Sequence, residues 1–277
     1  MPEIAMKKLI NRQPGRVGQW ALGLLPFVLL IIAYLIASDA RLAANANDKL
    51  LPALNSFADA IQRMAFEPSK RSGDYLLWVD TLASLQRLAM GVGISALMAL
   101  AVGIANGTIP YIRATLSPLV TGLSLVPPMA MLPVLFIIFG LGELAKVMLI
   151  IIGITPFLIR DLQQRALEIP REQIIKMQTL GANSWQIITR LVWPQLMPRL
   201  IGAVRLSLGP AWLFLIAAEA IAATEGLGYR IFLVRRYLAM DVILPYVVWI
   251  TLLAFAIDFM LSRYSRWRYP WFHQQGH

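Results

Sequence analysis

Four ionisable side chains stand inside or at the edge of long apolar runs of this sequence: Lys146, Arg205, Glu219 and Asp258. A charge at membrane depth is costly, so it is kept there to meet a polar solute or to neutralise another charge. Both uses are open to Arg205 and Asp258, which lie similarly deep in successive apolar runs: a structural ion pair, or contacts to a substrate. Glu219 stands just before "ATEGLGY", a Gly-rich segment able to form a gate or a tight turn. Thr121, Ser124, Ser207 and Trp212 are further polar or amphipathic candidates on the same runs. Covalent and metal chemistry is poorly served. The chain has no cysteine, both histidines fall in the terminal "WFHQQGH", and the nearest approach to a carboxylate pair is Glu219 with Glu225 in an outer loop. No catalytic residue and no metal ligand set is expected, and an intramembrane enzyme would lack its convergent groups.

The elements that position these residues follow from composition. Of 277 residues, 58% are hydrophobic and 14% charged, against roughly 25% charged in soluble chains, and the mean hydropathy is +0.65. A crossing needs about 20 apolar residues. The runs predict an all-α membrane protein of about six spans: Trp20–Ser38, Leu88–Ile109, Leu116–Phe139, Leu144–Ile159, Leu200–Ala220 and Val242–Leu261. The first is too long for the apolar region of a cleaved signal peptide and reads as a retained signal-anchor. The segments inside for a cytoplasmic N-terminus hold more Lys and Arg than the outer ones, and the outer basic residues lie mostly in a long loop rich in Asp and Glu. Long loops weigh little in orientation, so both termini are expected in the cytoplasm. The predicted organisation is a cytoplasmic segment 1–19, a first span 20–38, an outer loop 39–87, a core 88–262 that includes a cytoplasmic segment 160–199, and a tail 263–277. The net charge of +10 suits basic loops facing anionic lipid and predicts no nucleic-acid partner.

Three spans carry further signals. Trp78, Leu82, Leu85 and Ala89 recur on one helical face, which predicts an interfacial helix leading into the second span. Within that span Gly91, Ser95, Ala99, Gly103 and Gly107 recur every four residues, a stripe that lets another helix backbone approach closely. Ala203, Ser207 and Ala211 form a shorter stripe in the fifth span. The third span is interrupted by Pro127, Pro128 and Pro133. Each removes a backbone donor, and such a break serves either a substrate path or packing alone.

Residues 160–199 form a long, ordered cytoplasmic stretch. Pro170 and Glu172 suit the start of a helix that would run to Leu180 and stop at Gly181. Asn183 with Gln186 predicts a capping box opening a second helix with Trp185, Ile188, Leu191 and Val192 on one face. Pro194 and Pro198 are expected to end it and restart the chain as the fifth span. The product is a stiff helix–turn–helix platform.

Gly181, nine residues, then Leu191-Val192-Trp193-Pro194 resembles the cytoplasmic loop signature of permease subunits of binding-protein-dependent ABC importers. "SLQRLAMGV", "PPMAMLPVLFIIFGLGELAK", "TLGANSWQI", "AVRLSLGPAWLFLIAAEAIAATEGLGY" and "RWRYPWF" are similar to the nitrate/sulfonate/taurine branch. The likeness covers roughly residues 75–272. Where the signature opens with a Glu-Ala-Ala triplet, this chain has Ile175-Lys176-Met177. The resemblance implies a type I ABC importer permease fold whose coupling helix, through Glu172, Lys176, Thr179, Leu180, Gly181, Ala182 and Trp185, docks on an ATP-hydrolysing subunit. The expected substrate pathway, read from the polar and ionisable residues of the spans and the proline break, is lined by Thr121, Ser124, Pro127, Pro128, Arg205, Ser207, Trp212 and Glu219. The implied partners are two ATPase subunits, a second permease chain (a homodimer), a periplasmic solute-binding protein and membrane lipid. No phosphate loop of the GxxxxGK[ST] type occurs in the sequence, so ATP and Mg are expected on the partner and no cofactor in this chain. The expected location is the inner membrane, and the expected cargo is a small polar nutrient such as nitrate, taurine, a sulfonate or a urea- or guanidinium-like compound. A stand-alone secondary transporter is the competing reading.

Overall fold

The computed structural model describes residues 15–45, 48–70 and 73–274. The ends of the expected cytoplasmic segment 1–19 and tail 263–277 therefore lie partly outside the described residues. Among the described residues the chain is helical with no strand: α1 (Arg16–Ala44), α2 (Leu54–Ala65), α3 (Leu76–Thr108), α4 (Pro110–Leu125), α5 (Leu132–Phe139), α6 (Glu143–Leu167), α7 (Arg171–Thr179), α8 (Ser184–Ile187), α9 (Trp193–Ala222), α10 (Leu227–Arg235), α11 (Met240–Arg268) and α12 (Pro270–Gln274).

Four helical runs are long and apolar enough to cross a membrane, or five when the bent pair α4 and α5 counts as one. The remaining expected span, Leu144–Ile159, lies in α6. This helix has 25 residues, long enough at about 1.5 Å each, but it carries Lys146, Arg160 and Asp161 among its apolar residues. It forms the middle of the bundle, with Leu149, Ile150, Leu158 and Leu162 fully buried.

The reason α3 and α6 lie so close is the glycine stripe. A Cβ built on Gly91 would stand 2.7 Å from Ile150 Cγ2, and one on Gly103 would stand 2.8 Å from Leu162 Cβ. At Gly107 it would overlap Ala166 Cβ. The stripe is therefore an interface inside one subunit, where short residues allow dispersion contacts between backbones that lipid cannot drive together.

Two expectations fail for identifiable reasons. The stretch 75–88 is no separate interfacial helix but the N-terminal end of α3, continuous over 33 residues. Its apolar face is turned outward, with Leu82 60% and Trp78 49% exposed, while Asp80, Ser84 and Arg87 are buried. In lipid the apolar side faces the medium and the polar side packs inward, which reverses the rule for soluble helices. The amphipathic helix of the outer loop is instead α2, packed against α3 and α11; Trp78 donates its indole N–H to the carbonyl of Ala65 at 3.0 Å.

The second failure is at Pro194 and Pro198. They do not end the helix: residues Ser184–Ala222 run as one helix of 39 residues. Residues Ile188–Val192 form a π-turn in which Trp193 N–H donates to the carbonyl of Ile188. A wider turn just ahead of Pro194 moves the preceding carbonyls away from its ring, so the helix continues. The break in the third span is as expected: α4 meets the arm Pro128–Phe139, a short 3₁₀ turn (Pro128–Met131) continued by α5, at 85° across residues 126–127.

Candidate functional site

Three regions bring functional side chains together. The first is the turn between α7 and α8. Gly181 has φ +81, a left-handed conformation that a Cβ disfavours. Its N–H bonds to the carbonyl of Gln178 at 2.9 Å, and Ala182 N–H to that of Met177 at 3.0 Å. This pair of bonds closes α7 as a Schellman cap. Two residues later Asn183 opens α8: its side chain accepts from Gln186 N–H at 2.8 Å, and Gln186 accepts from Asn183 N–H at 2.9 Å. Both caps that the sequence predicts are formed, so two helix ends are fixed across the four residues from Leu180 to Asn183. Leu180 is 76% and Trp185 71% exposed. Thr179 donates to the carbonyl of Lys176 at 2.9 Å. Glu172 lies in the first turn of α7.

The base of this platform is tied to the bundle through Glu168 at the end of α6. Arg199 on α9 donates to it at 2.8 Å and Arg165 at 3.3 Å. Partial burial pushes the Glu168 carboxyl up, but hydrogen bonds from Arg165 and Arg199 outweigh it and hold the group below the usual carboxylate range.

The second region is a cleft of about 690 Å³ beside the break in the third span. Thr121, Ser124 and Pro128 line it from the broken span, Arg160 and Asp161 from α6, and Phe214 from α9. Gly153 lets the Phe214 ring lie against the α6 backbone, since a Cβ there would overlap the ring. Arg160 Nη1 donates to Ser124 Oγ at 2.8 Å. Gln163 also faces the cleft and accepts from Ser117 at 3.1 Å and Asn106 at 3.3 Å. Arg160 gave no signal in the sequence beyond its place among loop cations, because it falls one residue past the apolar run.

The third region is a buried polar cluster where the N-terminal turns of α3 and α6 meet the C-terminal end of α9. Arg87 donates to Glu219 at 2.8 Å, to the carbonyl of Glu225 at 2.8 Å and to Glu143 at 2.9 Å. Glu219, with 0% exposure, also accepts from Ser84 at 2.8 Å and from Gly228 N–H at 2.8 Å. Lys146 is 2.7 Å from Glu143. Beside them Asp80 accepts from Arg230 at 2.7 Å, Tyr246 at 3.1 Å and Gly226 N–H at 2.9 Å. The cluster joins α3, α6, α9, α10 and α11. "ATEGLGY" is thereby clamped through its backbone.

Of the residues expected along a substrate path, Thr121, Ser124 and Pro128 share the cleft, with Pro127 at the bend between them. Glu219 is enclosed in the buried polar cluster. Ser207 is 2% and Trp212 5% exposed, and the Trp212 indole N–H has no acceptor among the described residues. Arg205 pairs with Asp258 at 2.8 and 2.9 Å in a bidentate arrangement, on a different face from the cleft. Arg87 and Asp80, like Arg160, are functional-type residues that sequence reasoning missed.

Comparison with known proteins fits this geometry. Residues 91–271 match the family described as binding-protein-dependent transport system inner membrane component. The taurine transport system permease protein TauC of Escherichia coli (strain K12) is 34% identical over 198 residues, covering 72% of each chain. The bicarbonate transport system permease protein CmpB of Synechococcus elongatus is 29% identical over 71% of this chain and 69% of that one. Among solved structures, an inward-facing form of the MetNI methionine ABC transporter superposes with a TM-score of 0.61 at 23% identity, covering 69% of this chain and 95% of that one.

Proposed function

The chain belongs to the family of binding-protein-dependent transport system inner membrane components, and on that premise we propose how it works as the permease subunit of an ABC importer. It is a multi-pass protein of the inner membrane and not itself an enzyme; ATP hydrolysis belongs to a separate subunit. In the proposed cycle a periplasmic binding protein delivers a small polar nutrient to the outer face. ATP and Mg bound by two partner ATPase subunits then drive alternating access. Two copies of this chain form the translocation unit, with both termini in the cytoplasm. The cargo is a nitrate-, taurine- or sulfonate-like solute or a urea- or guanidinium-like one; transport of taurine and of bicarbonate by relatives supports this range.

The observation that carries the reading is the doubly capped turn at Gly181, with Leu180 and Trp185 exposed at its tip. Large apolar side chains held at that exposure on a rigid turn are suited to be covered by a partner. Glu172, Lys176, Thr179, Leu180, Gly181, Ala182 and Trp185 make the docking surface, and Thr121, Ser124, Pro127 and Pro128 the wall of the path. Arg205, Ser207, Trp212 and Glu219 hold the walls in place from behind. The test is copurification with the ATPase and hydrolysis in proteoliposomes. Trp185→Asp should lose ATPase association while the chain still inserts. Full association of that variant would overturn the docking surface.

A further inference from the structure

We infer that Arg160 is the cation that recognises the solute in the cleft, and that the solute carries an oxyanion. The inference rests on the proposed path and narrows it. Arg160 stands roughly 25 Å along α6 from its outer end, at about 1.5 Å per residue, and its guanidinium opens into the cleft. Arg160 is the one Lys or Arg that lines the cleft, and among the described residues the buried and half-buried cations elsewhere in the bundle are spoken for. Arg87 has Glu143 and Glu219, Lys146 has Glu143, Arg205 has Asp258 and Arg230 has Asp80. Arg113 is bound by the carbonyls of Asn106 and Gly107 at the end of α3.

Arg160 differs. Among the described residues it has no carboxylate within ion-pair distance, and one hydroxyl, Ser124 Oγ at 2.8 Å, is its hydrogen-bond partner. A guanidinium offers five N–H donors in a planar fork matched to two oxygens of one anion. Asp161 also lines the cleft, but it lies 3.6 Å from Arg165, so its charge is shared on the other side. The cleft lining thus holds one guanidinium with unused donors and one carboxylate, Asp161, that is drawn toward Arg165 outside the lining; Ser124, Thr121 and the Gln164 amide flank the guanidinium, and Phe157 and Phe214 wall it. That composition suits a small sulfonate, nitrate or bicarbonate. A guanidinium ion would be repelled, and urea would leave the charge unanswered. Ser124 holds the fork at the bend of the third span, so movement of α4 against α6 would change its reach.

The test uses cells that carry the complete transporter, with and without this chain. Uptake is measured for six labelled probes: taurine, ethanesulfonate, nitrate, bicarbonate, urea and guanidinium. Chain-dependent uptake is expected only among the first four. Arg160→Gln should reduce it by about tenfold or more, the scale of a lost charge-assisted fork, and Arg160→Lys should restore part of it. ATPase copurification should stay unchanged in both, which a merely structural role would not require. Thr121→Phe, which obstructs the cleft without touching the charge, separates the two readings. Uptake blocked by Thr121→Phe but untouched by Arg160→Gln overturns the role of Arg160 alone. Uptake untouched by either removes the cleft as the path. Chain-dependent uptake of urea or guanidinium, or of none of the six, overturns the oxyanion assignment.

Discussion

Removing Arg87 should loosen the whole outer end of the bundle, and Arg87→Leu is the sharpest way to see it. The guanidinium is 2% exposed and Glu219 0%. The substitution leaves the Glu219 carboxylate with the Ser84 hydroxyl and Gly228 N–H but with no cation. Breaking a buried pair by removing one partner costs about 3–5 kcal/mol, because the remaining charge is uncompensated. Glu225, by contrast, has a side chain 50% exposed and lies 3.9 Å from Arg87, and water screens its loss. Glu225→Gln should therefore cost on the order of 1 kcal/mol. For a chain of this size 1 kcal/mol moves a melting temperature by roughly 2–4 °C. Arg87→Leu should then melt about 10 °C below wild type and Glu225→Gln only about 3 °C below. Adding Glu219→Gln to Arg87→Leu removes the stranded charge while keeping an acceptor for Ser84 and Gly228, so the double variant should regain most of the loss. The assay is thermal unfolding of the purified protein in lipid nanodiscs, followed by tryptophan fluorescence. A single variant within about 2 °C of wild type, or a double variant no more stable than the single, would refute the buried-pair reasoning; non-additivity of this kind is what a double-mutant cycle reads.

Three further outcomes are expected. Gly107→Leu would drive a side chain into Ala166, where a Cβ alone already overlaps; at least the usual 1–3 kcal/mol of overpacking should appear as a lower melting temperature, whereas Gly93→Leu, with nothing within 4 Å, should be silent. Gly181→Val, at φ +81, should cost about 1–2 kcal/mol or more locally and uncouple ATP hydrolysis from solute delivery, read in proteoliposomes, while the chain still inserts. Single cysteines at Ser56 and Ser184 should label from opposite sides of the membrane, and labelling of Ser184 by an impermeant reagent in intact cells would invert the topology.

What the sequence made visible was governed by local rules. Pro127 and Pro128 announce the bend because a missing N–H is local. Gly181, Asn183 and Gln186 announce the two caps because each bond spans a few residues. The buried polar cluster was hidden for the opposite reason: Arg87 meets Glu143 and Glu219, partners 56 and 132 positions away. Its helix face was also misassigned, since Trp78 and Leu82 face outward where a soluble helix would turn them in. Pro194 misled because a π-turn has no strong sequence signature. Arg160 escaped notice because its meaning lies in what does not neutralise it, which only the folded arrangement of Asp161, Arg165 and Ser124 reveals.

The π-turn at Ile188–Val192 also fixes an angle. A π-turn amounts to one extra residue in an α-helix, and one residue is about 100° of rotation about the axis. The bearing of the Trp185 face relative to Glu219 is therefore set by this single turn, within one unbroken helix from Ser184 to Ala222. Taking one residue out there would leave every cap, every span and every apolar run intact. It would also swing the outer half of the helix by about 100° relative to the platform, so that the Trp185 face and Glu219 could not both keep their present neighbours. Azimuth, as much as stiffness, links the capped platform to the buried Arg87–Glu219 cluster at the far end of this protein.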